Sequence, residues 1–148
     1  MREVSGSTWV FQLMIIFILI FACFLCLVLN YSKAYRVKNE MLSIIEKYEG
    51  MSRTSEDIIN NYLQGESYMT KGTCPDGWYG VNTIDGGYDE ADGKTNYNYC
   101  FIENRSENDY VYYEIMVFYK FNLPFLGDLM TFRVNGTTET FVGSNDRY

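Results

Sequence analysis

The sequence predicts an α+β protein, with a long N-terminal transmembrane helix continuing into an amphipathic helix packed on a small antiparallel β-sheet. Three observations carry that reading. Val10 to Leu29 contains no charge and a single polar residue, Gln12. From Trp9 through Glu49 there is neither Gly nor Pro, the residues that most readily end helices. Between Tyr110 and Phe121, Val111, Tyr113, Ile115, Val117, Tyr119 and Phe121 alternate with Tyr112, Glu114, Met116, Phe118 and Lys120, which is the period of a half-buried strand.

The apolar run matches the ~20 residues that an α-helix needs to cross a hydrocarbon core of ~30 Å. A cleaved secretory signal would have a shorter apolar region, ~7–15 residues, followed by small residues. Asn30-Tyr31-Ser32 offers no such cleavage pattern. Ile20-Phe21-Ala22-Cys23 distantly resembles a lipobox, but bulky Phe21 fits it badly. The span is therefore expected to be retained. Within it, Cys23 and Cys26 have the spacing of a redox pair, yet lipid supports no aqueous thiolate chemistry. They read as small packing groups on one helical face, where a neighbouring helix can approach, with Gln12 as a polar contact inside the bilayer.

Past the span, Ala34, Val37, Met41, Ile44 and Tyr48 follow a 3-4-3-4 spacing, an apolar stripe suited to docking on a sheet. Lys33, Arg36, Lys38, Asn39, Glu40, Glu46 and Lys47 fall largely off it. A continuous rod of about 40 residues would be ~60 Å long, with Gly50 as its stop. Thr54 and Ser55 can cap a second helix over 56–63, with Glu56 and Asp57 in its first turn and Ile58, Ile59, Tyr62 and Leu63 buried, ending at Gly65. Residues 71–96 are rich in Gly, Asp, Asn and Thr, and 85–93 reads as exposed loop.

Strands are expected over 97–102 and 110–121. A turn over 123–128 with Gly127-Asp128 at its tip leads to a returning strand over about 129–134, with Met130, Phe132 and Val134 on one face. Asn135-Gly136 reads as a tight turn before a short edge strand over 137–142. The chain thus divides into a short N-terminal segment (1–9), a transmembrane helix (10–29), a helix extension (30–49) and an α+β head (50–148).

Composition narrows the function. With no His in 148 residues, His-based nucleophiles, metal sites and pH sensing are excluded. Residues 1–47 carry net +2 against −7 overall, which leaves −9 for residues 48–148. Such a head repels phosphates and shows no basic stripe, so nucleic acid is not an expected partner. No Gly-rich phosphate loop or nucleophile elbow is present, and two carboxylates such as Glu103 and Glu114 could come close on neighbouring strands, with nothing but position to suggest glycosidase-like work. The expectation is a protein without enzymatic activity, cofactor or metal. Asp85, Asp89, Glu90 and Asp92 offer oxygen ligands but lack the order of an EF-hand loop, so a solvated acidic loop is preferred to a Ca²⁺ site.

Cys74 and Cys100 flank the Gly/Asp-rich loop. A bridge between them is preferred to two unpaired thiols, and it would require an oxidising compartment. Orientation signals conflict. Lys33, Arg36 and Lys38 just after the span favour a cytoplasmic head by the positive-inside tendency, whereas the cysteine pair and the acidic, Tyr-rich sheet favour the outside, which is the orientation preferred.

This layout resembles type IV pilin-like subunits and, more narrowly, the TadE-like minor pilins of bacterial tight-adherence pili. The matching pieces are Ser5-Gly6-Ser7-Thr8 before the apolar run, Asn30-Tyr31-Ser32-Lys33-Ala34-Tyr35 leading into the amphipathic helix, and the strand Tyr113 to Tyr119 followed by Leu123-Pro124-Phe125 and a final strand. Those families usually carry a Glu shortly inside the apolar segment. Here Phe11 and Gln12 occupy that region. The resemblance implies a single-pass subunit of a cell-surface pilus or pseudopilus. It would pack in the lipid bilayer against other pilin-like subunits as a homo- or hetero-oligomer, with the head turned outward for adhesion or docking. A solitary membrane-anchored extracellular binding module is the alternative.

Overall fold

The computed structural model describes residues 2–106, 110–123 and 127–142. The side chains of 2–5, 7, 121–123 and 127–130 lie outside that description. The fold is α+β. Helix α1 (Arg2–Lys47) runs unbroken for 46 residues, a rod of roughly 70 Å. Its apolar half is bare: Trp9 is 71% exposed and Leu29 69%. The helix is long and apolar enough to cross a membrane, and the head covers none of its most apolar stretch.

The second half of α1 meets the head. Ala34, Val37, Met41 and Ile45 are fully buried, Ile44 nearly so, and Tyr48 packs partly buried on the same cluster. Ile45 is an addition to the stripe expected from spacing. Lys38 is the surprise. It is buried, with its stem against Gly136 and its ammonium 4.2 Å from the Tyr35 ring centre, so it belongs to the packed face rather than to the solvent side. A lysine's four-carbon stem can cover apolar surface while its charged end sits on an aromatic face.

α1 closes in a Schellman arrangement. Gly50 N–H donates to the Ile45 carbonyl at 2.9 Å and Glu49 N–H to that of Glu46 at 3.2 Å. The left-handed residue is Glu49 (φ 52°), with Gly50 one position later at φ 136°, so the expected stop is a two-residue device. Helix α2 (Arg53–Gly65) begins one turn earlier than expected, because Ser52 rather than Thr54 or Ser55 is its N-cap. Ser52 and Ser55 bond each other's backbone reciprocally, and Ser55 Oγ also reaches the Gly50 carbonyl, tying the two helices together. Ile59 and Leu63 are buried as expected, Ile58 and Tyr62 only partly, and Ser55, Glu56 and Asn60 are buried with them.

The strands are β1 (Gly72–Thr73), β2 (Tyr79–Val81), β3 (Tyr88–Glu90), β4 (Asn96–Tyr97), β5 (Tyr99–Arg105), β6 (Tyr110–Leu123), β7 (Gly127–Thr137) and β8 (Phe141–Val142). The main sheet is antiparallel in the order β3-β2-β5-β6-β7, with β8 pairing the start of β6, while β1 and β4 form a separate two-stranded pair. Three expectations are corrected here. The loop read over 85–93 contains β3, which pairs with β2. Gly127 and Asp128 lie in strand β7 opposite Leu123 and Asn122, so the connection narrows to 124–126, outside the described residues. Asn135 and Gly136 do not turn; they pair with Met116 and Ile115, and the chain breaks at 138–140 instead. There Thr138 Oγ1 accepts the Tyr113 N–H while Thr138 N–H donates to the Tyr113 carbonyl, so a side chain mends the ladder.

Strand β6 is covered on both faces. Tyr113, Ile115 and Val117 join the α1 cluster, with Val111, Tyr119 and Val134 partly buried on it. Phe132 is 37% exposed, and the side chains of Phe121 and Met130 fall outside the described residues. Met116 and Phe118, on the opposite face, are buried in a second cluster with Cys74, Ala91, Tyr97 and Cys100, against which Trp78 packs. The β1–β4 pair with Cys74, Trp78 and Ala91 therefore covers the outer face, while β2 and β3 extend the sheet itself. Close approach there demands glycine: a Cβ on Gly80 would lie 2.3 Å from the Tyr97 ring. At Gly136 the obstacles are the stem of Lys38 (Cδ at 2.7 Å) and a terminal methyl of Leu42 (2.8 Å), aliphatic chains that can shift more readily than the buried Tyr97 ring. Gly80→Ala is expected to cost about 1–3 kcal/mol in thermal denaturation, as overpacked cores do, and Gly136→Ala distinctly less. Equal costs would contradict this packing.

Candidate functional site

The features that bear on function lie along α1 and where it enters the head. In the membrane-length half, Gln12 is exposed and Cys23 and Cys26 are half-exposed free cysteines on one face of the helix. The structure brings none of these three against the head. Ala34, Val37, Met41, Ile44 and Tyr48, the other helix-packing residues expected, are occupied by the chain's own sheet.

At the junction, basic residues fasten the C-terminal end of α2 to α1. Lys33 Nζ donates to the Glu66 carbonyl at 3.1 Å, and Arg36 Nη2 meets Glu66 Oε2 at 3.1 Å. A cation at this position complements the negative end of a helix dipole. Aromatic rings collar the same level. Tyr31 stands edge-on to Tyr119 (6.0 Å between ring centres) and stacks towards Tyr35, while Tyr119 stacks on Phe132 at 5.2 Å. Tyr68 is buried beside them, its hydroxyl donating to the Phe118 carbonyl. Burial, and secondarily Tyr119, pushes the Tyr68 phenol well above its ordinary pKa, so it stays a neutral donor. Between α1 and this collar opens a groove of about 310 Å³, walled by Asn30, Lys33, Tyr68, Met69, Tyr119 and Lys120.

Farther up, Cys74 and Cys100 are bonded, with Cα atoms 5.8 Å apart. The bridge sits under Trp78 and Tyr97 in the outer cluster. The acidic loop is exposed, and Asp92 is spoken for internally. Its carboxylate accepts from the N–H groups of Thr95 and Lys94 (2.7 and 2.9 Å), which hold its pKa below the usual range. Among the described residues no three Cys, Asp or Glu side chains converge as a metal site.

Glu103 and Glu114 do not form a pair. Glu103 lies opposite Tyr113 and Glu114 opposite Ile102, so a one-residue offset sends them to opposite faces. Glu103 accepts from Tyr113 Oη and Arg105, and Glu114 from Asn104.

Two features escaped the sequence reading. Glu56 is buried on α2 and accepts the Gly87 N–H at 2.6 Å, which pins the 85–93 segment to the helix. Tyr79, Tyr88 and Phe101 form a ring cluster with centres 5.4–5.5 Å apart, where Tyr79 and Tyr88 remain 39% and 54% exposed. Neither carries a periodic signal, because Glu56 looked like an ordinary first-turn acid and Tyr88 stood amid turn residues.

The Cys74–Cys100 bond closes a loop across a separation of 26 residues, a constraint worth ~3 kcal/mol. Reduction, or Cys74→Ser with Cys100→Ser, is therefore expected to lower the melting temperature of the head by several degrees. A melting curve indifferent to reductant would remove the bridge from the account. Comparison with protein-family models, with curated proteins and with solved structures finds no match.

Proposed function

We propose that the chain is a non-enzymatic, single-pass membrane subunit that packs beside other helices through the bare half of α1 and carries its head outside the cell, in the manner of a TadE-like minor pilin. One observation carries the reading: a single unbroken helix is apolar and uncovered over one half and embedded in a sheet over the other. A bare helix of this kind has two outlets, lipid and neighbouring helices, and Cys23 with Cys26 present a narrow face on which a neighbour can come close.

The outward orientation is supported by the Cys74–Cys100 bond, because such bonds persist in oxidising compartments. The opposing signal of Lys33, Arg36 and Lys38 has a structural explanation. Two of them hold Glu66, and the third packs under Tyr35 and against Gly136. The exposed Tyr79 and Tyr88 favour a second reading, a solitary anchored binding module with an aromatic recognition edge.

Two measurements separate these possibilities. With Asn61→Cys on the exposed side of α2, a membrane-impermeant maleimide should label intact cells; protection of that thiol would place the head inside. Oxidation with a lipid-permeant copper–phenanthroline complex should join copies through Cys23 or Cys26 and should fail in the Cys23→Ser, Cys26→Ser variant. Monomer alone in every lane would favour the solitary module.

A further inference from the structure

We propose that the groove at the membrane-proximal end of the head binds the phosphate of an anionic phospholipid headgroup, seating the head on the bilayer surface. The inference rests on α1 crossing a membrane, as proposed above, and adds a ligand and a site to that reading.

Height is the first observation. Asn30 and Lys33 wall the groove one and four residues beyond Leu29, within about 6 Å of the last apolar residue at a helical rise of 1.5 Å. That is headgroup level, whichever way the chain faces. Charge is the second. Residues 48–148 carry net −9, yet the cations that wall this groove are Lys33, from α1, and Lys120, from the end of β6. Lys33 uses one of its three N–H donors on the Glu66 carbonyl. The third is the collar of Tyr31, Tyr35 and Tyr119. Amphipathic rings of this kind gather at membrane–water interfaces, where one end is wet and the other meets acyl chains. Met69, 51% exposed at the rim, offers apolar surface towards the same layer.

A phosphate between the two lysines would accept from both ammonium groups, with Asn30 and Thr70 as neutral donors and the glycerol and acyl chains passing down the bare face of α1. A free phosphate has the same charge but no chains to lay there. That difference separates the two sources.

The test uses the full chain in nanodiscs of phosphatidylcholine with and without phosphatidylglycerol, released into the gas phase to weigh the lipids that stay bound. Phosphatidylglycerol should be retained preferentially. Lys33→Gln and Lys120→Gln should each lower its retention about fivefold, the ordinary worth of one lysine at an anionic surface. Lys120→Gln changes an exposed side chain, and the melting temperature of each variant is read beside its lipid retention. Lys47→Gln, with the same loss of charge at the far end of α1, should leave retention unchanged. Equal retention of the two lipids, indifference to both groove substitutions, or an equal effect of Lys47→Gln would overturn the site. So would displacement by inorganic phosphate as effective as by lipid. A chain that fails to enter the discs defeats the membrane-spanning reading and this site with it, whereas one that enters without lipid preference defeats the site alone.

Discussion

The fold depends on one contact, the burial of the distal half of α1 along strand β6. Ala34, Val37, Met41 and Ile45 disappear against Tyr113, Ile115 and Val117, and each buried aliphatic side chain contributes ~1.5–3 kcal/mol relative to exposure. Every other element is placed by reference to that seam. α2 lies beside α1, joined to it by Ser55 at one end and Glu66 at the other. β7 extends the sheet past β6 far enough for Gly136 to touch Lys38. Because the head is small and acidic, it has little core to spare, and the disulfide fixes the outer layer on the face that the helix leaves uncovered.

Much of this was legible in the residues. A long apolar run, a 3-4 stripe and strict alternation over 110–121 each have one physical interpretation, and the helix, its docking face and the central strand appear where those patterns stand. The cysteine pair flanking a turn-rich loop likewise pointed to a bond. What stayed hidden depended on tertiary partners. β2 and β3 are three residues each, and they are strands because β5 offers β2 a ladder and β2 offers one to β3, not because Tyr88-Asp89-Glu90 prefers to be extended. Asn135-Gly136 has the composition of a turn, but continued pairing with β6 outweighs local preference there. Alternation alone cannot show that the polar-looking face of β6 is also covered; only the placing of Cys74, Trp78, Ala91 and Tyr97 against Met116 and Phe118 does that.

The junction of rod and head illustrates how one set of residues can send two signals. In sequence, Lys33, Arg36 and Lys38 form a cluster of positive charge directly after an apolar run, which is the pattern used to infer topology. In three dimensions they cap a helix, pair with Glu66 and lie across Tyr35. Charge counting treats side chains as solvated and equivalent. Lys38 is committed to packing, whereas Lys33 and Arg36 stay exposed while they hold Glu66, so the three charges are not equivalent and a bare count overstates what they say about orientation.

The absence of any Pro or Gly between Trp9 and Glu49 has a mechanical corollary. With no swivel between them, the head cannot tumble independently of the bare apolar half of the helix. A tug on the exposed edge at Tyr79 and Tyr88 would be felt as torque along the shaft, and a change in shaft tilt would carry that edge with it. The molecule is built as a lever.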